Sequence, residues 1–204
     1  MEGLKEFSSL LRTTKNTLTN YQNEIDGFHY GLQTLDTQIA NYKNILSGKT
    51  ELPKEYSKED IQALLEKTEK VREQYISEEG KRVSQNGSLY TAQVSSTFPS
   101  TKFVEIFDDD KSGFMDHMRF DYETDNIYGE INRVSSYIDD SLEGIDGVLK
   151  AVDKALKELG EEQFRYEAHH EQMKFDETHN GDAEKEYAMK KILEFMNKEK
   201  KENE

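Results

Sequence analysis

The sequence predicts an all-α protein, an elongated helical bundle or coiled coil built from long antiparallel helical hairpins. Three observations carry this: 34% hydrophobic residues against 34% charged, only two prolines in 204 residues, and a three-four spacing of apolar residues that persists for dozens of positions. So little apolar material cannot fill a thick core. It can fill a narrow seam between long helices, where about two positions in seven need be apolar. A mean hydropathy of -0.94 with a net charge of -15 is also the signature of disorder. Eleven tyrosines, ten phenylalanines and the regular patterning argue for order over most of the chain, read as one helical domain over 1–204.

The first helix is predicted over 1–47. Leu4, Phe7, Leu11, Thr14, Leu18, Tyr21, Ile25, Phe28, Leu32, Leu35, Ile39, Tyr42 and Leu46 form an unbroken stripe at alternating spacings of three and four, the mark of a bundle helix. Gly27 and Gly31 each cost about 1 kcal/mol relative to alanine in a helix, so packing along the seam must hold this stretch. Gly48 and Pro53 then stop the helix. Ser57 opens Ser-Lys-Glu-Asp, close to a capping box, and a second helix follows over 57–85 with Ile61, Leu64, Thr68, Val71 and Tyr75 on one stripe. The short connection implies an antiparallel hairpin.

This second stripe fades near Gly80 and Asn86-Gly87, so residues 86–100, rich in Ser, Thr and β-branched types, read as an extended connector. A long acidic helix is expected over 101–175, capped by Ser100 or Thr101, with Tyr128, Ile131, Ser135, Ile138, Leu142, Ile145, Leu149, Val152, Leu156 and Leu159 on its stripe. Residues 101 to 160 carry fifteen acidic side chains against seven basic, which would steer a basic partner to this helix. A short amphipathic helix is predicted over 183–200.

Several function classes fall away. With no cysteine, disulfides, zinc-thiolate sites and thiol catalysis are excluded. The negative charge disfavours nucleic acid, and no apolar run approaches the roughly 20 residues of a membrane span. The first residues lack the pattern of a cleaved signal peptide. Cytoplasmic synthesis is expected, with any export by a route needing no such signal.

The stretch Phe107–Arg119 imitates a calcium loop. Counted from Asp108, oxygen donors Asp110, Ser112 and Asp116 and the turn residue Gly113 fall at the required positions, but position twelve, which needs a bidentate glutamate, is Arg119. His169, His170 and His179 lie among carboxylates without any metal-ligand spacing. Neither a Gly-x-Ser-x-Gly nor a phosphate-binding glycine loop occurs. No catalytic residue, metal or cofactor is expected. Tyrosines at seam positions 21, 42, 75 and 128 either fill wide seams with their rings or face another chain.

The long first helix, the Ser/Thr-rich stretch and Thr97-Phe98-Pro99-Ser100-Thr101-Lys102-Phe103 opening a second helix resemble the helical-hairpin proteins of the WXG type. More specifically, the chain resembles the small helical proteins that accompany LXG toxins in type VII secretion of Gram-positive bacteria. Phe98-Pro99-Ser100 stands where that family has its Trp-x-Gly turn, with Phe103, Ile106 and Phe107 following. The resemblance implies a non-enzymatic, chaperone-like accessory or targeting role, pairing with a helical LXG-type targeting domain or another small helical protein. The partner interface it implies comprises Tyr21, Ile25, Phe28, Leu32, Phe98, Phe103, Phe107, Ile138 and Ile145. A homo-oligomeric coiled-coil scaffold or tether is the competing reading, and a metal-regulated or enzymatic bundle a third.

Overall fold

The structure, a computed structural model, describes residues 2–159, 181–187 and 189–191. It is an all-α helical bundle, without strands among the described residues. In order come α1 (Glu2–Leu46), α2 (Lys58–Tyr75), a π-helical turn (Ile76–Gly80), α3 (Lys81–Thr97), α4 (Ser100–Phe107), α5 (Lys111–Met118) and α6 (Ile127–Glu158). Residues 182–187 and 189–191 are also helical. The chain divides into two units, residues 1–25 with 83–181 and residues 26–82 with 182–204.

The α1 stripe holds. Leu11, Thr14, Leu18, Tyr21, Ile25, Phe28, Leu32, Leu35 and Ile39 are all buried, while Leu4, Phe7, Tyr42 and Leu46 near the ends are half-buried. Gly48 (φ 76°) closes α1; its N–H donates to Ile45 and that of Lys49 to Asn44, a Schellman motif. Ser57 and Asp60 form a complete capping box on α2, and the hydroxyl of Ser57, then its backbone N–H, hold the Asp60 carboxyl below its ordinary range.

In the second unit α1 and α2 run antiparallel. Asp36 accepts from Arg72 at 2.5 Å and Lys43 pairs with Glu69 at 2.8 Å. Phe28 stacks on Tyr75 with ring centres 5.4 Å apart, and Tyr75 donates to the Phe28 carbonyl. Gly31 makes this possible, because a Cβ there would overlap the Tyr75 ring.

The expected connector over 86–100 is instead helical through Thr97. The stripe does not fade; it changes phase. Ile61, Thr68 and Tyr75 keep a seven-residue repeat, and continuing it would place Arg82, Leu89 and Ser96 inward. The π-helical turn takes a five-residue step from Tyr75 to Gly80, and the buried positions become Gly80, Val83, Gly87, Thr91 and Val94. Leu89 is left 69% exposed. The extra residue in the turn shifts the inward stripe of the sequence by one position, about 100° of helix rotation.

The expected single helix over 101–175 is also corrected. Asp108 adopts the left-handed conformation (φ 53°) and ends α4, Asp110 caps α5, and after residues 119–126 Asn126 caps α6 with its side chain. Aspartate and asparagine tolerate the left-handed region and cap helices through their short side chains, so the acidic run breaks the helix. Neither Ser100 nor Thr101 caps α4; Pro99 is the capping residue and gives no side-chain bond. The part of the predicted helix beyond Leu159, with His169, His170 and His179, and residues 192–200 of the last helix lie outside the described residues.

In the first unit α1 lies antiparallel to α3 and to α6. Phe7 meets Phe98 edge-on at 6.0 Å, and Gln22 donates to Ser135. Arg12 forms a two-oxygen pair with Asp153, and Lys15 pairs with Asp146 at 3.1 Å. The short helices α4 and α5 pack on α6. Gly144 lets the Ile106 carbonyl approach to 2.8 Å of where a Cβ would stand.

Candidate functional site

The site builds on residues 117–120, where α5 ends. Helix ends leave carbonyls without intrahelical partners, and here four successive ones are taken by side chains from three helices. Arg133 of α6 donates to the carbonyls of His117 (2.5 Å) and Arg119 (2.6 Å). Tyr21 of α1 donates to Met118 at 3.0 Å, and Ser84 of α3 donates to Phe120 at 2.8 Å. Glu130 holds Arg133 from its own helix. That hydrogen bond keeps the Glu130 carboxyl below its ordinary range and raises the guanidinium.

Tyr21 is the deepest of these donors. Its ring occupies the room left by Gly87, where a Cβ would overlap it, and leans on Tyr90 at 6.0 Å. Burial raises its hydroxyl pKa first, and the nearby Glu24 carboxylate adds to this. Glu24 is itself buried and accepts from Asn86 at 2.9 Å and Tyr90 at 3.0 Å. Paired in this way, a buried carboxylate avoids the several kcal/mol cost of an unpartnered charge.

The calcium-like stretch is resolved into capping and packing. Asp110 accepts from the Gly113 N–H at 2.6 Å, so Ser112 and Gly113 belong to a helix. Asp109 accepts from Tyr137 at 2.5 Å, and His117 stacks on Tyr137 with centres 4.6 Å apart. Burial, then the Asp109 hydrogen bond, raises the Tyr137 hydroxyl pKa. Among the described residues no group of three His, Asp or Glu side chains is placed to hold a metal. Behind this stretch Phe98, Phe103, Phe107, Phe114 and Tyr137 form one aromatic chain with centres 4.6 to 6.5 Å apart.

An open polar cleft of about 700 Å³ lies beside the strapped carbonyls, lined by Ser84, Asp116, Arg119, Phe120, Asp121, Tyr122, Glu123, Glu130 and Arg133. Arg133 and Glu130 engage each other as described, which leaves three carboxylates, Asp116, Asp121 and Glu123, beside one further cation in the lining, Arg119. Such a lining suits a basic side chain or peptide. None of its residues forms a nucleophile–base pair of the kind covalent catalysis requires.

All nine residues expected at a partner interface, Tyr21, Ile25, Phe28, Leu32, Phe98, Phe103, Phe107, Ile138 and Ile145, are at most 8% exposed. In this conformation they are core, because the chain supplies its own partners for the seam. Among the described residues of the first unit, the large apolar side chains that face outward are Leu10, Leu89, Val104 and Leu159. Sequence reasoning missed Ser84 and Arg133, which carry no periodic signal. Asn86-Gly87 was visible, but as a turn.

No family model, curated protein or solved structure matches the chain. No helix among the described residues is long and apolar enough to cross a membrane.

Proposed function

We propose that the protein is a non-enzymatic helical interaction module, an accessory or targeting partner for an LXG-type effector of type VII secretion. The observation that carries it is the helical hairpin of the first unit. There α3 runs antiparallel to α1, turns at Phe98-Pro99, and opens α4 with Phe103 and Phe107 packed behind the turn. The resemblance to WXG-type hairpins rests on the same residues. Since the seam is filled internally, the partner is met by outward faces: the acidic side of α6 with exposed Asp139, Asp140 and Glu143, and the polar cleft. A basic helical surface complements both.

Co-expression with a helical LXG-type targeting domain, followed by light scattering, tests this. A stoichiometric complex is expected, weakened at least tenfold by the triple change Asp139→Lys, Asp140→Lys, Glu143→Lys and by raised salt. Failure to form that complex overturns the proposal. The exposed Leu10, Leu89 and Val104 favour a second reading, a self-assembling scaffold, which the same measurement would reveal as an integer multiple of 23.7 kDa in the protein alone.

A further inference from the structure

In the second unit the helical segment of residues 182–187 and 189–191 lies over the π-helical turn. Its backbone at Glu184 comes within 2.9 Å of where a Cβ on Gly27 would stand, so α1 has a notch there that admits a neighbouring backbone. Its Tyr187 ring receives the Arg82 guanidinium 4.9 Å from its centre. Arg82 in turn pairs with Glu79 at 2.8 Å, a carboxylate that the π-helical turn points inward and leaves 6% exposed.

The two sides of this contact are unequal. Beneath the segment, Gly27, Phe28, Tyr75 and Glu79 are buried, whereas from Asp182 onward none of the segment's described residues is buried. The two sides meet across a narrow crevice with no room for a water molecule, lined by Gly27, Phe28, Tyr75, Glu79, Arg82, Glu184 and Tyr187. A segment whose described residues bury so little of themselves gains little from the hydrophobic effect; its contacts with the floor include the Arg82–Tyr187 cation–π contact and the close backbone approach at Gly27. π-helical turns inside α-helices concentrate at functional positions, and this one builds the floor of the contact.

We propose that the 182–191 segment is a detachable cover over a helix-docking groove formed by Gly27, Glu79 and Arg82. In the free protein the chain occupies the groove with its own segment. A partner helix that presents an aromatic ring to Arg82 and a close backbone to Gly27 displaces it. This deepens the reading of the protein as an interaction module but concerns only the chain's own residues, so it can fail while complex formation with an LXG-type domain succeeds.

The test uses the full chain and three variants. Tyr187→Ala removes the contact from the cover and leaves the groove intact. Gly27→Ala fills the notch with a better helix former, and Tyr187→Phe keeps the ring. Hydrogen exchange read by mass spectrometry should show amides of 183–191 exchanging at least tenfold faster in Tyr187→Ala and Gly27→Ala, with Tyr187→Phe like wild type and α1 and α2 protected in all four proteins. A synthetic peptide of residues 182–191, added to millimolar concentration, should shift the NMR signals of Gly27, Glu79 and Arg82 in Tyr187→Ala only. Unchanged exchange in the two alanine variants, or a Tyr187→Ala protein no more responsive to the peptide than Gly27→Ala, overturns the proposal.

Discussion

The ring of Tyr21 sits in the space that Gly87 leaves by having no side chain, and its hydroxyl reaches past α3 to the Met118 carbonyl. One residue of α1 thereby fills α3 and caps α5. Tyr21→Phe should lower stability by about 1–3 kcal/mol, the cost of leaving a buried carbonyl without its donor. Gly87→Ala should lower it by a similar amount through overpacking, although alanine is the better helix former. Gly147 in α6 is the control: nothing lies within 4 Å of a Cβ there, so Gly147→Ala should raise stability by about 1 kcal/mol. Urea unfolding of the three variants compares these signs directly.

The phase change at Ile76–Gly80 predicts the effect of removing one residue. Deleting exposed Ser77 would restore a regular helix with Gly80, Val83, Gly87, Thr91 and Val94 still facing inward, because the turn holds the one extra residue. Deleting exposed Ser88 from the regular part of α3 would instead turn Ala92 and Ser95 inward in place of Thr91 and Val94, and should cost several kcal/mol more than the Ser77 deletion. Circular dichroism melting would compare the two, and equal losses would mean that the turn does not hold the extra residue.

Alkaline pH should unfold the protein through its buried tyrosines. Burial raises the hydroxyl pKa values of Tyr21 and Tyr75 above the ordinary value of about 10. The unfolded chain therefore loses these protons first as pH rises. Their contribution to stability is whole below about pH 10 and declines as pH climbs from there toward the folded values. Phenolate absorbance should show a fraction of the tyrosines titrating late, together with unfolding. Tyr75→Phe should reduce that late fraction.

Asp110 caps α5, so Asp110→Ala should cost about 1 kcal/mol. Calcium should neither restore this loss nor release heat on titration into the wild-type protein, since Arg119 occupies the place of the strongest ligand and the loop is partly helical. A saturable calcium heat that vanished in Asp110→Ala would refute this assignment.

Arg133 straps two carbonyls at once through a planar fork. A lysine has a single compact ammonium and cannot reproduce that geometry. Arg133→Lys should therefore speed amide exchange in residues 111–120 several-fold while leaving α1 protected. Equal exchange in both proteins would show the strap to be dispensable.

What the sequence by itself determined follows from local periodicity and local caps. The stripe from Leu11 to Ile39, the Schellman end at Gly48 and the Ser57–Asp60 box all depend on neighbours within one or two helical turns, and all stand in the structure. Tertiary structure decided the rest. Residues 86–97 are helical although their inward positions are Gly87, Thr91 and Val94, because the bulk that fills the space at Gly87 comes from Tyr21 on another helix; a small residue facing inward leaves no hydrophobic signal of its own. The acidic stretch from Asp108 to Asp125 likewise takes its place from distant donors. Ser84, Tyr21 and Arg133 satisfy the carbonyls that end α5, and no spacing rule links residues 36, 97 and 14 positions away from their acceptors.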